Sequence, residues 1–364
     1  MLKNKKTFQL ALTIITGLLF ITVLGSYIYR LRIALISSTD NYKTTILMLE
    51  KEISSLEREN TSLRNEHLEY ITNSLTENYT LEVAPLAVSL NHISPQHQTN
   101  TTRIIAVGHP YGSHDKSNTI PAGTLINAIE EINELDPDLF FTLGDLVQDP
   151  TEQSFEKLYQ NFLNQLNAPV FNAPGNHDFG NGRTFYEDEF GQTFYFFTYD
   201  QSQIIVLDTE ITNCFIVGKQ KEMLELAILK ALENNDIQYV FVFFHKVLFL
   251  DAENELRASV NGPCRVGNNY PVLRDEIFLP AAQEKNIYLI AGDVGAFDSN
   301  LSPFYAKYPD AKLYTLAVGI GDTENDALLQ IDINAEKVEF SIISIGGKEF
   351  APFESYTPEY WAAE

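Results

Sequence analysis

The chain has 364 residues, 45% of them hydrophobic, and a formal net charge of −24 at neutral pH. That is enough apolar material for a sizeable core, and the acidic field excludes binding to nucleic acid or an anionic membrane surface through bulk electrostatics. Two cysteines, Cys214 and Cys264, are too few for a disulfide scaffold or a cysteine-rich zinc site.

Residues 8–29 carry no charge and are long enough to cross a bilayer core as a helix. Val23-Leu24-Gly25 makes a mediocre cleavage site, so an uncleaved anchor is expected rather than a removed signal peptide. Lys3, Lys5 and Lys6 precede the span and Arg30 and Arg32 follow it. This charge bias predicts a single-pass protein with a cytoplasmic amino terminus and an extracytoplasmic globular part. A heptad register follows, with Ile46, Ile53, Asn60 and His67 at a and Leu49, Leu56, Leu63 and Tyr70 at d. Isoleucine at a, leucine at d and one asparagine at a predict a parallel homodimeric coiled coil. At 1.5 Å per residue the stalk would hold the rest roughly 35–40 Å from the membrane. The expected divisions are an anchor at 1–34, a stalk at 35–82, a linker at 83–102 and a globular domain at 103–364.

From residue 103 strand-like runs alternate with amphipathic helical stretches, which predicts parallel strands with crossover helices. The strands are expected at 103–107, 139–143, 169–173, 203–207, 238–244 and 286–291, and the helices at 124–135, 154–166 and 220–232. Three further runs, 312–318, 327–333 and 338–345, are expected to complete a second sheet. The strand at 139–143 leads into Gly144-Asp145, and the one at 169–173 into Gly175-Asn176-His177-Asp178. Each puts oxygen or imidazole donors on a loop at a strand's carboxyl end, where open α/β sheets bind ligands.

These two motifs resemble those of the calcineurin-like metallophosphoesterases, which carry G-D-x-x and G-N-H-D/E at about this separation. The resemblance runs from about Arg103 to Ile345 and implies a four-layer αββα sandwich with a two-metal phosphoesterase site. Carried over by position, Asp145 matches the bridging carboxylate and a catalytic residue, and Asn176 and His245 match second-metal ligands. Asp293 stands where that metal's remaining histidine would be. His177 matches the residue that protonates the leaving group or steadies the transition state. The first-metal half departs from the pattern. His109 replaces its aspartate, Tyr111 its first histidine and Gly295 its last. Either His109 and Tyr111 rebuild that half or its metal is lost; one divalent ion (Mn, Fe or Zn) is the expectation. Restoring His109→Asp, Tyr111→His and Gly295→His should then bring back a second ion.

Lys246, Arg183, Arg257 and Arg265 lie at the same presumed end and are expected to be solvated. Cys214 and Cys264 lie on loops opening near the site, either bonded to each other or as two buried thiols. The implied function is a membrane-anchored, metal-dependent hydrolase of a phosphate ester or anhydride, with a phosphorylated small molecule or macromolecule as partner. The alternative is a non-catalytic relative serving as an envelope scaffold or ligand-binding protein.

Overall fold

The alternating runs build two sheets in the computed structural model, which describes residues 89–96, 101–113, 119–180, 182–250 and 254–363. The anchor and the coiled-coil stalk expected from the sequence lie outside these residues. In the first sheet, β1 (Thr102–Val107), β2 (Leu139–Thr142) and β3 (Val170–Asn172) are parallel. The order of the second sheet is β4 (Tyr195–Tyr199), β5 (Ser202–Val206), β6 (Tyr239–Phe244), β7 (Asn286–Ala291), then β9 (Leu313–Ala317) and β8 (Phe304–Lys307). Its four inner strands are parallel, and β4 and β8 run antiparallel on its edges.

Every residue of β2 and β6 is buried, as expected of parallel strands covered on both faces. Alternate side chains serve different layers. Phe140 joins Ile105 and Val170 under the helices Gly123–Asn127, Ile129–Glu134 and Glu152–Asn161. Phe141 points the other way and stacks on Phe243 of the second sheet, ring centroids 4.0 Å apart. Val240, Val242 and Leu289 face outward against the helix Gly218–Glu233 and the helical stretch from Tyr270 to Ala281. The layers are therefore helix, sheet, sheet, helix.

The tail departs from expectation. Only β9 enters the second sheet; β10 (Ala327–Ile333) pairs antiparallel with β1, and β11 (Val338–Ser344) closes that edge of the first. The runs 327–333 and 338–345 cannot show this, because a strand's apolar pattern does not name its neighbour. The helix expected at 154 starts at Glu152, because the hydroxyl of Thr151 accepts from the Ser154 N–H and caps it. β4, β8, Thr184–Phe190 and Pro358–Ala363 had no counterpart in the sequence reading. Inside the expected linker, Leu90 is buried; its N–H donates to the Val170 carbonyl at 2.7 Å, and Asn91 accepts from the Val170 N–H.

The two sheets meet most closely just past β1 and β7. A Cβ on Gly108 would lie 2.1 Å from the Gly292 carbonyl oxygen, so only glycine lets these backbones touch. That contact brings the residues that follow them, His109 and Asp293, to one place.

Candidate metal centre

Five strand ends converge here. His109 follows β1, Asp145 follows β2, Asn176 and His177 follow β3, His245 follows β6 and Asp293 follows β7. His109 and Asp145 both adopt left-handed backbone, φ +59° and +61°, which is uncommon outside glycine and recurs where a site overrides local preference. Asp178 holds Asp145 in place. Its carboxylate accepts from the Asp145 and Leu146 N–H groups of one loop and the Gly175 N–H of the other, at 3.2, 2.7 and 2.8 Å. Burial and the charge of Asp145 push the Asp178 carboxyl up to about 7, against the opposing pull of those N–H bonds.

Asp145 Oδ2 is 3.5 Å from His109 Nε2 and 3.5 Å from His245 Nε2, and His245 Nε2 is 3.7 Å from Asp293 Oδ1. All four side chains are buried. His245 donates its Nδ1 proton to the Leu143 carbonyl at 2.7 Å, which aims Nε2 at the two carboxylates, and that atom has no hydrogen-bond partner. Burial lowers the His245 pKa, but Asp145 and Asp293 prevail and raise it, so an ion bound here would take the place of a proton. Donor atoms around a tetrahedral ion with bonds of about 2.1 Å stand roughly 3.4 Å apart, so the donor set fits a metal ion. His109, Asp145 and Asp293 bring ligand atoms within 4.8 Å of one another. Burial outweighs the neighbouring carboxylates at His109 and lowers its pKa, keeping the imidazole in its ligand form. Burial would raise Asp145, but His245, His109, His177 and Lys246 prevail and hold it down to about 2.

Tyr111 and Asn176 make their own contacts at the rim of this cluster. Tyr111 packs its ring between His109 and His177, centroids 4.3 and 5.0 Å away. Burial and then Asp145, Asp293 and Asp149 raise its phenol far above the ordinary value. Asn176 Oδ1 accepts from Lys246 Nζ at 2.6 Å. Lys246, expected to be solvated, has only 12% of its side chain exposed, and its ammonium also contacts Asp293 Oδ2 at 2.6 Å. His177 gives its backbone N–H to Asp145 Oδ1 at 2.9 Å and its Nδ1 proton to the Gln148 carbonyl at 2.7 Å. Its ring lines a cavity of about 570 Å³ shared by Tyr111, Glu210, Lys246 and Asp293.

The other basic residues are committed elsewhere, apart from Arg265, which is exposed on the cavity wall. Arg183 pairs with buried Asp208 and lies over the Phe179 ring, while Arg257 donates to the Cys264 carbonyl. Cys214 and Cys264 form a disulfide across the same cavity wall. Gly295 cannot be turned back to histidine by simple replacement. Its φ is +79°, and a Cβ there would sit 2.3 Å from the Gly319 carbonyl oxygen.

Residues 114–256 match the model of the calcineurin-like phosphoesterase family, which places this part of the chain in the calcineurin-like metallophosphoesterase superfamily. Among 44 solved chains that match is a dimetal phosphatase from Danio rerio. It shares 10% identity at a TM-score of 0.49, over 67% of this chain and 96% of that one. No curated protein matches.

Proposed function

We propose that the chain is a metal-dependent phosphoester hydrolase working with one divalent ion. The observation that carries this is the buried quartet of His109, Asp145, His245 and Asp293, with His245 Nε2 left without a hydrogen-bond partner among them. Bound by these four, the ion would supply Lewis-acid polarisation of a phosphoryl oxygen. A donor set of two imidazoles and two carboxylates suits manganese, iron or zinc better than magnesium. His177, fixed by Gln148 and Asp145, presents Nε2 toward the cavity and can hold or deliver a proton at the leaving-group oxygen. Tyr111 packs against that imidazole and sets its plane.

The test is elemental analysis and hydrolysis of an activated aryl phosphate or diester after manganese or iron loading. One ion per chain is expected. His177→Ala should lower turnover by roughly 10²-fold with unchanged metal content, whereas His245→Ala should lower both. No bound metal and no hydrolysis would leave the non-catalytic scaffold as the better reading.

A further inference from the structure

We propose that the Lys246 ammonium is a built-in cation standing in the place of the second metal ion, which limits the centre to one ion and supplies the other positive charge itself. The inference deepens the hydrolase reading above and rests on it only for the catalytic consequence. Lys246 Nζ lies 2.6 Å from Asn176 Oδ1 and 2.6 Å from Asp293 Oδ2. These oxygens belong to two of the residues that the sequence pattern assigns to the second ion, while Asp145 and His245, the other two, face the single ion that the quartet would hold. An ammonium held between them uses the lone pairs a metal would need, and its charge repels a divalent ion brought to the same point.

The position is enclosed. A Cβ on Gly262 would lie 2.6 Å from Lys246 Nζ and 2.9 Å from Asp293 Oδ2, so the backbone of that loop closes directly over the pair. The Lys246 N–H is itself fixed, donating to Thr209 Oγ1 at 3.2 Å. One divalent ion and this ammonium balance the three carboxylates Asp145, Asp293 and Glu210. An ammonium has three N–H donors. Asn176 and Asp293 take two, and the third is left for a phosphoryl oxygen in the cavity that Lys246 lines.

The experiment is manganese binding by calorimetry and elemental analysis on the unmodified protein and on Lys246→Met, with Lys246→Gln as a second variant of similar length. Binding is expected to rise from one ion to two on substitution, with at least a tenfold gain in affinity for the second. An unchanged stoichiometry in folded variants overturns the inference and leaves the one-ion hydrolase standing. An unmodified protein that binds none, beside a variant that binds one, does the reverse. Should both variants fail to fold, electron paramagnetic resonance of the manganese-saturated unmodified protein decides. Isolated six-line spectra support the built-in cation, and a spin-coupled dinuclear signal overturns it.

Discussion

Asp178 shows how one carboxylate can order a site without facing it. It binds three N–H groups from two loops and lies wholly within the protein. Asp178→Ala leaves those donors buried and unpaired, at about 1–3 kcal/mol each before relaxation. We expect a loss of about 3–5 kcal/mol in urea unfolding, with weaker metal binding because Asp145 is loosened; a loss under about 1 kcal/mol would contradict this account. Asp326 offers a cleaner titration, away from the centre. Its carboxylate accepts from the Gly321 N–H and from the hydroxyls of Thr124 and Thr323, but burial outweighs these bonds and raises its pKa above 3.8. The folded domain thus holds this proton more tightly than the unfolded chain. Its stabilising contribution is complete below 3.8 and is lost as pH rises through the folded value. Asp326→Asn should flatten that decline, so the variant gains on the parent protein as pH is raised above 4 in parallel chemical denaturations. A constant difference across that range would show that Asp326 does not contribute to the decline.

Among the elements, the loops after β5 and β6 are the ones whose arrangement depends on a covalent tie. The Cys214–Cys264 disulfide joins them across 50 residues, and both cysteines wall the cavity. Closing a loop of that length contributes about 4 kcal/mol in the chain-entropy model. Cys214→Ser with Cys264→Ser should lower the melting temperature by several degrees and raise KM more than it lowers kcat, since the wall moves and the metal ligands do not. An unchanged melting temperature would show that packing alone holds these loops. The strands that carry ligands were legible in the sequence because each is a short apolar run ending in Gly-Asp, Gly-Asn-His-Asp or His. β4 was not legible, since Tyr195 to Tyr199 has no clean alternation and becomes a strand by pairing with β5 across the tight turn at Asp200. Lys246 was misjudged for a related reason. Sequence shows a lysine after a histidine, but only the assembled strand ends show two oxygens waiting for its ammonium.

At the scale of the whole described domain, two sheets packed through aromatic contacts such as Phe141 on Phe243 form a floor, and the site is built on its rim. The motif positions of Asp145, Asn176, His177 and His245 located that rim from sequence, whereas the Lys246 ammonium between Asn176 and Asp293 depends on side-chain directions no spacing encodes. Where the superfamily pattern places histidine, the Gly295 backbone has settled into a conformation that admits no Cβ. A single codon change back to histidine would meet main chain before it met metal, so the connection after β9 would have to move first. The position is therefore closed to any ligand-bearing side chain by main chain, and substitutions at the strand ends that already carry donors can adjust the centre where one here cannot.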